Sequence, residues 1–533
     1  MINQDRLDTY PKKPQDPRPS PLWIHEFLGG SKTRWTYLAL VTLMVLVSAT
    51  SVVAQDKELS GIDAVVQPLN NFLGSFFFFP IGGENGFPFI VLWLFVAALF
   101  FTLRMGFINL RGFKHAIDVV RGQYDDIHDQ GEVSHFQALS AALSGTVGLG
   151  NIAGVAVAIS IGGPGAMVWM TIAGFLGMTS KFVECTLGVK YRQIEPDGTV
   201  LGGPANYLNR GLAQRGLRPV GQGLAVLFCI LCLGGSIGGG TLFQSNQSFA
   251  AVKNVIPGFP AWLFGLIIAA LAALVILGGI KRIGSVAEKL VPGMAIIYVL
   301  SCLVVLLGNL QHLPTAIGEI FGGAFSPAAG VGGIIGVMVQ GIKRSSFSNE
   351  AGVGSASIVH SAARTDEPVR EGLVSLLEPF IDTIVICNMT ALVIIISDAY
   401  QETDLEGVQI TASAFATVAS WFPVILSIAV CLFAFSTIIT WSYYGIQAWT
   451  YLFGERSAIL FKVFYIICTF LGSQLSLSVV IDFTDLLFLG MAFPNLLGCY
   501  ILSNEVAADL KDYWERLASG QMPKNALDPA QSS

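Results

Sequence analysis

An all-α polytopic membrane fold of about twelve helices follows from three observations. The chain is 53% hydrophobic and only 12% charged over 533 residues, where a soluble chain carries about 25% charged residues. Apolar runs of about 20 residues, long enough to cross a bilayer, recur through most of its length. The lysines and arginines between those runs alternate loop by loop, as the excess of positive charge on the cytoplasmic side requires. The net charge of −6 adds little, because what orients the chain is how charge divides between loops.

Residues 1–34 are polar, proline-bearing and basic (Arg6, Lys12, Lys13, Arg18, Lys32, Arg34) and read as a cytoplasmic tail. The run 35–54 reads as a retained anchor helix. Small residues near its end also allow a cleaved signal peptide, but the leader before it is long for that. The aromatic patch 76–79, followed by Pro80, suits an interface rather than a crossing. A second crossing covers 87–103, and residues 35–135 together form an N-terminal section. The following stretch faces the cytoplasm through Arg104, Arg111, Lys114 and Arg121.

Five crossings are expected at 136–160, 164–190, 220–250, 260–279 and 287–308, with Arg192, Arg210, Arg215, Arg218, Lys281 and Arg282 on inside turns. Residues 309–325 contain no lysine or arginine and read as outside. Five more are expected at 326–360, 369–397, 414–450, 459–478 and 483–503, followed by a cytoplasmic tail, 504–533, carrying Lys511, Arg516 and Lys524. Both termini then lie in the cytoplasm of a bacterial-type inner membrane.

The chain is organised around a segment that is buried yet breaks its own helix. Over 144–151, Gly145, Gly148 and Gly150, with Gly154 just beyond, cost about 1 kcal/mol each against alanine. Thr146 and Asn151 place polar side chains at the same depth. A second interruption, 341–354, carries Lys343, Arg344 and Glu350 inside an otherwise apolar crossing, where ionisable groups are costly and point to function. Each interruption opens a group of five crossings, 136–308 and 326–503, and the two groups have opposite orientation. That is the inverted-repeat plan of secondary transporters, in which half-helix ends attract a carboxylate and freed carbonyls coordinate a cation. Two bland readings stand beside it. Gly150 and Gly154 also fit a small-x-x-x-small packing motif, and the second stretch also fits a re-entrant loop.

Other polar residues can line the same cavity. Gln244 and Gln247 lie in the third crossing of the first group, beside Phe243. Ser436, Thr437, Thr440 and Trp441 lie in the third crossing of the second, with Thr437, Thr440 and Trp441 on one helical face. Glu184, near Lys181, and Asp382 are candidate gate or structural charges. The eight cysteines all fall in apolar segments, so neither disulfides nor a structural metal is expected. No phosphate-binding glycine pattern occurs, and no catalytic set suited to an intramembrane enzyme. A small-solute channel would need a continuous polar pore, and the sequence shows two localised breaks instead.

The motifs that carry these features are specific. Gly145-Thr-Val-Gly-Leu-Gly-Asn-Ile-Ala-Gly-Val-Ala156, Gly162-Gly-Pro-Gly165, Gly177-Met-Thr-Ser-Lys-Phe-Val-Glu184, Lys190-Tyr-Arg192 and Gly202-Gly-Pro204 resemble the alanine or glycine:cation symporter family. So do Lys281-Arg-Ile-Gly284, Glu288-Lys-Leu-Val-Pro292, Phe347-Ser-Asn-Glu-Ala-Gly-Val-Gly354 and Phe380-Ile-Asp-Thr383. The resemblance spans about 136–500 and implies a LeuT-type fold with a 5+5 inverted repeat. It also implies import of alanine or glycine in symport with Na⁺ by alternating access. A proton-coupled carrier or an exchanger stays open.

By that likeness Ser144, Thr146 and Val147 carbonyls, the Asn151 amide, Ala434 and Thr437 would serve Na⁺. The Gly148, Leu149 and Gly150 amides would hold the substrate carboxylate, and Gln244, Phe347, Ser348 and Trp441 would complete the pocket. Asn349, Glu350, Glu184, Asp382 and Thr440 are further candidates. The expected partners are a small amino acid, Na⁺ as coupling ion and the lipid bilayer, with no organic cofactor and no nucleic acid.

Overall fold

The computed structural model describes residues 74–83, 86–126, 128–326, 333–402, 404–475, 477–522 and 524. The 35–54 run, both chain ends and the Asp482 side chain lie outside the described residues. Apart from two short hairpins, 80–81 with 87–88 and 193–194 with 200–201, the described chain is helical.

Helix α1 spans Phe89–Arg104, and a short amphipathic helix, α2, spans Phe113–Val120. The first interrupted pair is α3, His135–Thr146, and α4, Ala153–Gly162. α3 starts on a capping box: Ser134 Oγ accepts from Gln137 N at 3.2 Å, and Gln137 Oε1 accepts from Ser134 N at 3.1 Å, which satisfies two orphan donors reciprocally. The chain bends by 55° between α3 and the turn that leads into α4. The predicted first break is therefore present, but at residues 147–152 rather than 144–151, because α3 continues through Thr146.

α5 follows at Ala166–Lys190, and α6 at Arg218–Ile237 runs on through a π turn, Gly238–Leu242, to α7, Phe243–Val255. α8 is Ala261–Ile276 and α9 is Gly279–Gly308. Their outward residues, among them Leu266, Leu271, Leu274, Leu300, Leu303 and Leu307, are exposed and apolar, the surface a helix offers to lipid.

After α10, Leu313–Ala324, comes the second interrupted element. α11, Gly333–Asn349, is one unbroken helix, and only then does the chain turn, at Glu350 (φ 57°), Gly352 (φ 84°) and Gly354 (φ 94°), before the short α12, Ala356–His360. This corrects the expected limits 341–354: Lys343 and Arg344 lie in regular helix, and the break is confined to 350–355. Both cations can stay helical because Asp485 lies 2.7 Å from Lys343 Nζ and 2.8 Å from Arg344 Nη2.

α13, Pro368–Ile396, contains a π segment, Phe380–Cys387, just after Pro379. α14 is Val408–Ala416, α15 is Pro423–Phe453, α16 is Ala458–Gly472 and α17 is Leu477–Gly490. The last helix, α18, starts one residue later and runs Ala492–Ala518. Helical structure thus extends well past residue 503, where the sequence suggested a crossing would end. Among the described residues, six helices are long and apolar enough to cross a membrane, or seven with the bent pair counted as one span.

Candidate functional site

The two breaks meet in the interior, and α13 and α15 close the space around them. At the first break the helix ends at Thr146, and Gly148 just beyond it must be small. A Cβ there would lie 2.4 Å from Thr437 Oγ1 of α15, closer than any real contact. Thr437 and its neighbours form one face along the last turn of α3. Ser144 Oγ donates to Ser436 O at 2.7 Å, Ser436 Oγ donates back to Ser144 O at 3.3 Å, and a Cβ on Gly145 would meet Thr440 Cγ2 at 3.1 Å. Of the expected face of α15, Thr437 and Thr440 therefore line the first break, while Trp441 reaches Glu350 at the second. Ala434, one turn earlier, is fully buried.

The freed backbone groups find side-chain partners, as buried N–H groups must. Gly148 N donates to Asn151 Oδ1 at 2.9 Å and to Thr146 O at 2.8 Å, and Leu149 N donates to Gln244 Oε1 at 3.1 Å. Gln244 is held in turn by its Nε2, which donates to Gly239 O at 2.9 Å. Val147 is fully buried at the turn itself. Gln247 points elsewhere: its Oε1 accepts from Val408 N at 3.1 Å, which anchors α14.

Asp382 joins the two breaks. Its carboxylate accepts from Asn151 Nδ2 of the first, from Ser348 Oγ at 3.0 and 3.1 Å at the end of α11, and from Thr383 Oγ1 at 2.7 Å. The group is fully buried, and among the described residues no lysine, arginine or histidine lies within ion-pair distance of it. It stands in the π segment of α13, a widening of the helix that often marks functional sites. Sequence reasoning gave Asp382 only a secondary place. The available signal was a lone carboxylate inside an apolar crossing.

The second break is built from charge. Glu350 Oε1 accepts from Trp441 Nε1 at 2.9 Å, and Ser355 Oγ donates to Oε2. Asn349 Nδ2 donates to Thr383 Oγ1 at 2.9 Å, and its Oδ1 accepts from Ala351 N at 2.9 Å. Glu184 Oε2 accepts from Asn495 Nδ2, which also donates to Gly352 O, each at 2.8 Å. Phe347 packs edge-on to Phe243 and against Phe488, and its ring would touch a Cβ on Gly150 at 3.4 Å. Trp441 fits only because Gly240 has no side chain: a Cβ there would be 2.5 Å from Trp441 Cβ.

The oxygen-rich cluster suits a hard cation, which takes carboxylate, amide, hydroxyl and carbonyl donors. Thr437 Oγ1 is buried beside Gly148 and has no hydrogen-bond partner among the described residues. Cys387 Sγ, 3.2 Å from Ser348 Oγ, is a neighbour the sequence did not single out. Sequence reasoning also passed over His135, His360, Glu371 and Glu378, which lie buried together beside Lys181.

Comparison with known proteins gives this geometry a family. The sodium:alanine symporter family profile matches residues 83–527. The sodium/alanine symporter AgcS of Methanococcus maripaludis is 40% identical over 432 residues, covering 80% of this chain and 94% of its own. The probable sodium/glutamine symporter GlnT of Bacillus subtilis is 34% identical over 81% of this chain and 89% of its own. The putative sodium/proton-dependent alanine carrier YrbD of Bacillus subtilis is 34% identical over 80% and 89%. Among solved structures, MhsT in complex with L-phenylalanine aligns over 71% of this chain and 99% of its own at 15% identity, with a TM-score of 0.44. The profile match across most of the sequence means that this chain belongs to the sodium:alanine symporter family, multi-pass sodium-coupled transporters rather than enzymes.

Proposed function

We propose that the protein imports a small neutral amino acid, alanine or glycine, in symport with Na⁺ by alternating access. The observation that carries this is the Asp382 carboxylate. It is fully buried, joined to both breaks, and without an ion-pair partner among the described residues. Burying such a charge is costly unless a cation compensates it, and Na⁺ beside Asp382, Asn151 and Ser348 would do so. In this reading the Ser144, Thr146 and Val147 carbonyls, Ala434 and Thr437 would supply further oxygen ligands to the cation. The unpartnered Thr437 hydroxyl supports their part in cation binding.

In this reading the substrate carboxylate takes the amides of Gly148, Leu149 and Gly150, displacing Gln244 Oε1 from Leu149 N. Phe347, Ser348 and Trp441 bound the side-chain end. The tight packing of Phe347 against Gly150, and of Trp441 against Gly240, favours a very small side chain. Asn349 and Glu350 shape the second break, Glu184 steadies it through Asn495, and Thr440 packs on Gly145. Coupling then has a physical cause. The cation organises the turn whose amides bind substrate, and such coupling is reciprocal, typically about 1–3 kcal/mol.

The fold that goes with this reading is LeuT-type. Two groups of five crossings, 136–308 and 326–503, each open with an interrupted helix, flanked by the N-terminal section 35–135 and by cytoplasmic ends at 1–34 and 504–533. With 35–54 retained, the crossings number twelve. The alternation of basic loops supports cytoplasmic termini in a plasma membrane. Uptake of labelled alanine into proteoliposomes, with and without an imposed sodium gradient, tests the function. Accumulation that ignores the gradient would remove the coupling.

A further inference from the structure

A second group of ionisable side chains lies apart from the Asp382 cluster and has no part in the proposed cation or substrate contacts. It begins at Asp125, whose side chain is 51% exposed and lies 3.9 Å from His135 Nε2. The other ring nitrogen of His135 meets Glu371 Oε2. Glu371 Oε1 lies 2.5 Å from His360 Nδ1, and His360 Nε2 lies 3.4 Å from Glu378 Oε1. Glu378 Oε2 lies 2.9 Å from Lys181 Nζ. Beyond Asp125, every member of the row is at most 2% exposed. Lys181 in turn interacts electrostatically with Glu350 and Glu184, and Glu350 is the acceptor for Trp441.

Two features set this row apart from ordinary ion pairs. His360 has a carboxylate within hydrogen-bond reach of both ring nitrogens, the arrangement that lets a ring accept a proton on one side and release it on the other, whereas His135 bonds Glu371 alone and has Asp125 3.9 Å from its other nitrogen. The members also come from different helices: His135 from α3, His360 from α12, Glu371 and Glu378 from α13, and Lys181 from α5. All four of these elements belong to, or directly follow, the interrupted helices. A rearrangement of those helices must therefore remake the row.

Glu371 and Glu378 are buried carboxylates faced by Lys181, Arg192 and the two imidazoles, and a proton lost from His360 leaves them with less counter-charge. The other charged or titratable groups facing it are few. Arg192 donates to Ser361 O and Ala363 O beside His360, Arg370 pairs with Asp129, and Cys185 and Tyr444 lie near Glu378.

We propose that the row His135–Glu371–His360–Glu378 is a proton-binding site, loaded from the Asp125 side, whose occupancy is coupled to the movement of the interrupted helices. A bound proton holds α3, α5, α12 and α13 together, and its loss frees them. The coupling to movement rests on the carrier reading above, whereas the site itself does not.

The test uses the full chain and the variants His360→Gln and Glu371→Gln, with His135→Asn as a milder change nearer the surface. Two measurements are made on each. The first is the melting temperature of the detergent-solubilised protein against pH without substrate. The second is sodium-driven alanine uptake in proteoliposomes against pH. The native chain should lose thermal stability as pH rises and His360 releases its proton, and its uptake should change about fivefold or more between about pH 6 and pH 9. In the variants both dependences should flatten to less than about twofold, with sodium dependence intact. A purely structural network would lower the melting temperature but leave the pH dependence of uptake in place. Native-like pH profiles in a folded His135→Asn or His360→Gln protein would overturn the proposal. Absence of any sodium-driven uptake in the native chain would sink the carrier reading instead, and the melting profiles alone would then decide for or against the proton site.

Discussion

The two breaks solve one problem by opposite means. A helix interrupted in the membrane interior must find partners for its freed backbone groups. At the first break neutral side-chain amides supply them: Asn151 caps Gly148 N and Gln244 takes Leu149 N. Small residues let α15 close directly on the turn. At the second break the backbone turns through positive φ at Glu350, Gly352 and Gly354, and the surroundings are strongly polar. Glu350, Glu184, Lys181 and Asn495 are all buried there. The first break offers backbone amides capped by neutral side chains, which an incoming ligand can replace, whereas at the second break the carboxylates of Glu350 and Glu184 accept from Trp441, Ser355 and Asn495 and so tie the turn to α15, α5 and α18.

Removing the one group the breaks share should have the largest effect. Asp382→Asn should lower sodium-driven uptake about a hundredfold, because it deletes the charge proposed to hold the cation, an effect of ~3 kcal/mol. Asn151→Ala should weaken sodium dependence together with uptake. An Asp382→Asn carrier with native sodium affinity would separate the cation from both breaks.

Next comes the packing of the first break. Gly148→Ala brings a Cβ within 2.4 Å of Thr437 Oγ1 and should cost about 1–3 kcal/mol in thermal stability, with partial rescue by Thr437→Ala. Equal loss with and without the second change would show that the clash lies elsewhere.

A smaller effect is expected where charge is exchanged for a neutral group of the same shape. Glu350→Gln keeps an acceptor for Trp441 Nε1 and should fold with uptake reduced less than about tenfold. Glu350→Ala leaves both Trp441 and Ser355 without their partner and should do worse. A reversed order in uptake assays would mean that Glu350 acts through its charge rather than through these bonds.

The smallest effect lies outside the membrane-spanning helices and provides a control. His115 of α2 is 2.7 Å from Tyr513 OH, and burial lowers its pKa to about 4. The folded chain therefore keeps this ring neutral, while the unfolded chain binds a proton below about pH 6.5. Its contribution to stability is full above that pH and is lost as pH falls toward about 4. His115→Gln should flatten the acid side of a melting-temperature profile without touching sodium dependence.

The sequence by itself determined the class of molecule, that two helices break, and many of the residues gathered at the first break. Apolar run length and depth-inappropriate glycines are local properties, so Gly148, Asn151 and the Thr437–Trp441 face were legible without coordinates. Only the tertiary structure decided what those residues touch. Asp382 reads as one carboxylate among several until α13 brings it between Asn151 and Ser348. His135 and His360 read as helix-end residues until Glu371 and Glu378 close on them from another helix. Lys343 and Arg344 looked like part of a break until Asp485, far along the chain, proved to be their partner. The reason is physical: the cost of a buried charge depends on what neutralises it, and its partner can lie hundreds of residues away.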